Sequence, residues 1–100
     1  MIRGTTPTHI FTLSIDSSYL KNIRITYAQD DKIILQKEIE DCETDGFAVK
    51  VTLTQEETLM FNCKKLVQIQ VRALTYSGEA LACPVMQTTV GKCLDSEVLA

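Results

Sequence analysis

The sequence predicts an all-β fold, an antiparallel β-sandwich or small barrel with one short helix. Three observations carry that prediction. Apolar and polar residues alternate with a period of two through six separate runs. Turn-forming residues separate those runs at intervals of roughly 8–14 residues. Only one stretch carries a helix-start signal, and no stretch offers the helices of ten or more residues that an α/β fold would need. A chain of 100 residues with 45% apolar content fits a single globular domain. Residues 1–90 are expected to form the domain and 91–100 a tail that frays or docks.

The first run, 8–15, sets His9, Phe11, Leu13 and Ile15 on one face against Thr8, Ile10, Thr12 and Ser14 on the other. Asp16-Ser17-Ser18 ends it with turn formers. The second, 22–29, points Ile23, Ile25 and Tyr27 one way and Arg24 and Thr26 the other, in residue types that suit a pleated surface. Asp30-Asp31 follows, and Lys32 to Glu38 begins at once, so a tight hairpin is expected although neither turn residue is Gly. Glu40 to Gly46 reads as an acidic loop closed by the turn pair Asp45-Gly46. Phe47, Val49, Val51 and Leu53 then alternate with Ala48, Lys50 and Thr52 as the clearest strand.

Thr54-Gln55-Glu56-Glu57 is a capping box, in which the Thr54 hydroxyl accepts from the Glu57 amide and the Glu57 carboxylate accepts from the Thr54 amide. A helix of one or two turns is expected there, with Leu59, Met60 and Phe61 plugging one end of the core. Val67, Ile69 and Val71 alternate with Gln68, Gln70 and Arg72 in the fifth run, and Tyr76-Ser77-Gly78-Glu79 turns the chain into the last, 80–90. Pro84 interrupts that run, which places it at a sheet edge or a bulge, since proline has no amide to give a ladder.

Charge and cysteine usage exclude several functions. The net charge of −3 is spread over mixed residues and Lys64-Lys65 is the only adjacent basic pair, so no nucleic-acid footprint is expected. No apolar run reaches the length of a bilayer span and the N-terminus has no secretory h-region, so no membrane partner and a cytoplasmic site of synthesis are expected. Cys42, Cys63, Cys83 and Cys93 show no C-x-x-C spacing. Free, mostly buried thiols are the leading reading, with a structural disulfide next and a metal site last.

The search for chemistry assigns no catalytic, cofactor-binding or metal residue, and no cofactor; the chain is not expected to be an enzyme. His9, the only histidine, lies in phase with Phe11 and Leu13 and reads as a core-face residue. Asp30-Asp31, Glu40-Asp41 and Glu56-Glu57 are adjacent acids that face opposite ways or cap a helix. Calcium at Glu40, Asp41, Glu43 and Asp45 is a minor alternative, because the spacing is not that of an EF-hand. The aromatic residues read as packing. Gln68, Gln70 and Arg72, with Arg24 and Thr26, form an outward polar face, plainly solvated in the first reading and able to hydrogen-bond a partner in the second.

The order of segments also resembles a known family. Pro7-Thr8-His9-Ile10-Phe11-Thr12-Leu13 looks like the first strand of the immunoglobulin-like N-terminal domain of phage upper baseplate proteins. Ile23-Arg24-Ile25-Thr26-Tyr27 with Lys32-Ile33-Ile34-Leu35 resembles its next hairpin, Val51 to Leu59 its strand-to-helix step, and Val67 to Arg72 with Tyr76 to Glu79 its closing hairpin. The whole string is similar to small prophage proteins of Gram-positive gut bacteria, over about residues 2–90. The resemblance implies an immunoglobulin-like β-sandwich and a phage or prophage structural or assembly protein of baseplate or tail type. Such a protein would act by protein–protein contact with other phage structural proteins or its own copies, and would be a virion component after assembly in the host cytoplasm. The family carries this domain at the front of a longer chain, so the 100 residues are expected to be a free-standing relative, and no contact residue carries over. The Pro84-containing strand or the tail is expected to dock on a neighbour by edge pairing. The alternative is a small β-sandwich module that binds carbohydrate or a host surface, for which Tyr19 and Tyr76 are the aromatic candidates and the absence of Trp is a weakness.

Overall fold

The period-two runs become two antiparallel sheets in the computed structural model, which describes residues 1–100. The strands are β1 (Thr8–Thr12), β2 (Leu20–Gln29), β3 (Lys32–Glu38), β4 (Cys42–Asp45), β5 (Ala48–Thr52), β6 (Val67–Thr75), β7 (Ala80–Ala82) and β8 (Met86–Thr88). One helix, α1 (Gln55–Leu59), lies between β5 and β6. The first sheet has the order β1-β5-β4; the second has β3-β2-β6-β7, with β8 also paired to β6. The structure is an all-β sandwich.

The order is that of an immunoglobulin sandwich short of one strand. In that fold A-B-E-D form one sheet and C-F-G the other, with C′ beside C in the variable type. Here β1, β5 and β4 take the B, E and D places, and β3, β2, β6 and the β7–β8 pair take C′, C, F and G. Nothing in this chain takes the A place beside β1. Residues before Pro7 run elsewhere, and Ile2 forms an isolated parallel bridge to Gly91. No helix is long and apolar enough to cross a membrane.

The core sits between the sheets. Ile23, Ile25 and Tyr27 of β2 are wholly buried, as are Val49 of β5, Leu53 and Val67. Val51, Ile69 and Val71 join them, and Phe61 closes the end below α1. The capping box forms as expected: the Glu57 amide donates to Thr54 Oγ1 (3.1 Å) and the Thr54 amide to Glu57 Oε1 (2.9 Å). Of the expected plug, Phe61 is buried while Met60 is exposed. The Gln29 side chain, also buried, holds the following loop by accepting from the Asn62 amide (2.8 Å) and donating to the Asn62 carbonyl (2.7 Å).

Three expectations are corrected. The acidic loop 40–46 is instead a 3₁₀ turn at Ile39–Asp41 followed by β4, whose residues pair with Val51 to Ala48. Its mixed polar residues line an exposed edge, where no apolar alternation is required. Phe47 is not part of the strand it was in phase with: it occupies the β4–β5 turn after Gly46, whose φ is 56°, and is largely exposed. The last run is two strands, because Pro84 lies in the break between β7 and β8; both halves form the sheet edge. The tail also lies on its own domain, with the Leu99 amide donating to Gln55 Oε1 (2.8 Å).

The Asp30-Asp31 hairpin forms at a cost. Both residues have positive φ, 50° and 61°, as a two-residue type I′ turn demands. Asp tolerates that region better than most L-residues, but Gly occupies it without penalty. Asp30 also pairs with Lys65 Nζ at 2.6 Å, whereas the Asp31 carboxylate makes no ion pair. Asp31→Gly is therefore expected to stabilise the domain by about 0.5–1 kcal/mol, read as a rise of roughly 2–6 °C in melting midpoint.

Candidate functional site

Two places gather polar groups: a seam inside the sandwich and the outer face of the five-stranded sheet. The seam follows from strand register. His9 of β1 and Cys42 of β4 both lie opposite Val51, so the three form one row across the smaller sheet. Facing that row is Tyr27, whose hydroxyl shares a 2.7 Å hydrogen bond with His9 Nδ1. Tyr27 also packs edge-on to Phe61, with ring centroids 6.0 Å apart. Lys37 lies opposite Ile25, on the core side of β3, and its Nζ meets Glu57 Oε2 at 2.6 Å.

Burial holds two groups of the seam, the Tyr27 phenol and the Cys42 thiol, in their protonated forms. Burial, then the charges of Cys42 and Glu57, push the Tyr27 phenol well above the usual tyrosine range. Burial, then Asp41, pushes the Cys42 thiol up, and its Sγ donates to the Glu38 carbonyl at 3.2 Å. His9 and Cys42 sit two strands apart, roughly 10 Å. A base acts on a nucleophile only at hydrogen-bond distance, so this imidazole does not activate this thiol. His9 is where the sequence placed it, on the core face, and it braces Tyr27.

Burial and the positive N-terminus lower the His9 pKa from its ordinary 6.5. An unfolded chain then binds a proton that the folded chain refuses, so the neutral ring's stabilisation is full above pH 6.5 and lost as pH falls below it. Unfolding midpoints in urea are expected to drop between pH 7.5 and 5.5, and a His9→Gln variant to flatten that part of the curve.

The other candidates are dispersed. Asp30 pairs with Lys65, Asp41 accepts from the Glu38 amide, and Glu57 is held by Thr54 and Lys37, so the adjacent acids serve separate local roles. Glu43 and Asp45 stand on the exposed edge strand β4, and no three acidic, cysteine or histidine side chains gather in a metal-holding group. All four cysteines are free and half-buried. Tyr19 and Tyr76 are exposed at one end of the sandwich, joined by the Tyr76 amide donating to the Tyr19 carbonyl at 3.0 Å.

The outer face gathers the polar residues the sequence singled out. Arg24 lies directly opposite Arg72 on β6 and opposite Glu38 on β3; Thr26 lies opposite Gln70 and Gln36. Glu38 Oε1 reaches only Arg24 Nε, at 2.7 Å, and Arg72 has no carboxylate partner. The two guanidinium groups, Asn22 and Leu74 border a shallow depression of about 210 Å³. Like charges directly opposite on neighbouring strands oppose the fold, and the Glu38 carboxylate offsets this at Arg24 while Arg72 is left without a counter-charge. Register across three strands created the arrangement, which is why period-two reading showed the outward residues and not their pairing.

Comparison with protein-family models, with curated proteins and with solved structures finds no match to this chain.

Proposed function

We propose that this chain is a structural or assembly protein of a phage or prophage particle, an immunoglobulin-like module that works by protein–protein contact. The observation that carries the contact reading is the Arg24–Arg72 pair beside a shallow depression on the outer, polar sheet face. Guanidinium groups bind carboxylates in a fork geometry, so an acidic patch on a neighbouring subunit would relieve their repulsion and fix the register of docking. The particle setting draws its support from the resemblance of residues 2–90 to the baseplate domain. Mass spectrometry of purified particles from an induced lysogen carrying the gene tests it. The protein is expected at a fixed copy number, reduced at least tenfold by Arg72→Glu while the melting midpoint stays level or rises. Particles without the protein would overturn the proposal.

A second reading, a carbohydrate-binding module, is favoured by one observation: Tyr19 and Tyr76 are 62% and 73% exposed and adjacent. Neighbouring exposed rings provide the stacking surface that sugar faces use. Binding on a glycan array that disappears in Tyr76→Ala would support it, and an array without signal would remove it.

A further inference from the structure

We infer that the free edge of β1 is the contact through which two copies of this chain pair, as a twofold dimer with one continuous six-stranded sheet. The inference rests on the protein-contact reading above and assigns it a second, separate surface. The Leu13 amide donates to the Phe47 carbonyl (2.6 Å) and the Leu53 amide to the Pro7 carbonyl (3.0 Å). Those bonds place residues 7, 9, 11 and 13 as the ones whose backbone groups face β5. Antiparallel alternation then turns the N–H and C=O groups of Thr8, Ile10 and Thr12 towards the open edge. That edge is the place of the A strand in a complete immunoglobulin sandwich, and the chain's own N-terminal residues run to Gly91 instead.

Exposed edges invite pairing with another chain, and the other edges here are blunted. β3 carries Lys32, Lys37 and Glu38; β4 is four residues long and carries Glu43 and Asp45. β7 and β8 are three residues each, split by Pro84. From Pro7 to Ile15 there is no Asp, Glu, Lys or Arg. Ile10, at the centre of β1, is 61% exposed.

The strand's self-complementary register selects a second copy as the occupant, and charge selects β1 as the edge through which the copies meet. Each chain carries net charge −3 and concentrates acids from Glu40 to Asp45, at or beside the edge of the same sheet farthest from β1. Pairing through β1 keeps the two acidic edges at opposite ends of the joint sheet; pairing through β4 would lay Glu43 and Asp45 of both copies together. A twofold axis at Ile10 sets Ile10 against Ile10 of the second copy and Thr8 against Thr12, and Thr–Thr and apolar cross-strand pairs are both favourable.

Light scattering with size exclusion across a hundredfold range of concentration, reductant present, is the test, for the native chain and Ile10→Glu. Ile10 lies opposite Lys50 within the chain, so the substitution places a carboxylate against an ammonium there and two carboxylates against each other across the axis. A concentration-dependent dimer is expected, its dissociation constant raised at least tenfold by Ile10→Glu with an unchanged circular dichroism spectrum. Amide exchange on the native chain needs no variant: Ile10 and Thr12 amides are expected to slow at least tenfold where the dimer forms. A monomer at every concentration, a dimer indifferent to Ile10→Glu, or unprotected Ile10 and Thr12 amides in the dimer would each overturn the inference. A dimer of this kind absent from particles would sink the particle reading alone; a monomer found in particles would sink the dimer alone.

Discussion

Truncating Phe61 to alanine is expected to cost about 3–5 kcal/mol, the range for emptying a buried aromatic site. Phe61 is 1% exposed and lies below α1, where it meets Tyr27 edge-on. The neighbours that would have to collapse into the void are themselves pinned. Tyr27 is tied to His9, and the loop just after Phe61 is tied at Asn62 to the buried Gln29 side chain. Relaxation is therefore small and the cavity term large. Domains of this kind are stable by only about 5–15 kcal/mol, so the variant would lose a large share of its stability. Met60→Ala, one residue earlier on an exposed side chain, is expected to stay within about 0.5 kcal/mol. Urea unfolding of both measures the contrast, and equal losses would show that Phe61 is not the plug described here.

Periodicity reports which face of a strand is buried, and it served well wherever one face meets the core. Ile23, Ile25 and Tyr27, and Val67, Ile69 and Val71, were legible for that reason, as was the inward phase of His9. Even beyond the end of β1, Leu13 and Ile15 remain less exposed than Ser14, so burial alternates where ladder pairing has stopped. The same logic explains the misses. Cys42 to Asp45 form a strand whose residues beyond Cys42 are exposed, so no apolar rhythm marks it. Phe47 keeps the rhythm of Val49 and Val51 but sits in a turn set by Gly46. Capping chemistry is local in sequence, and Thr54 and Glu57 were legible at once. The facts that compose the candidate surfaces are non-local: Arg24 facing Arg72, and β1 standing at an unpaired sheet edge, depend on sheet order.

Glu57 is where local and non-local interactions meet, and Glu57→Ala is expected to cost about 2–3 kcal/mol. Removing a capping-box partner costs about 1 kcal/mol. The remainder comes from Lys37, whose side chain is 13% exposed and would be left as a nearly buried charge without a partner. An ion pair this sheltered is expensive to break but not to replace. Lys37→Met combined with Glu57→Gln, which keeps an acceptor for the Thr54 amide, is expected to lie within about 1 kcal/mol of the native chain. The double-mutant cycle separates the two contributions, and a double variant as unstable as Glu57→Ala would mean the pair itself stabilises the fold. The pH dependence gives an independent check. Burial pushes the Glu57 carboxyl up, but the hydrogen bonds from Lys37 and Thr54 outweigh it and hold the pKa below the ordinary 4.5. The folded carboxylate thus resists protonation that the unfolded one accepts. Its stabilisation is complete above about pH 4.5 and disappears as pH falls through the lowered value, and Glu57→Gln should remove that part of the acid limb.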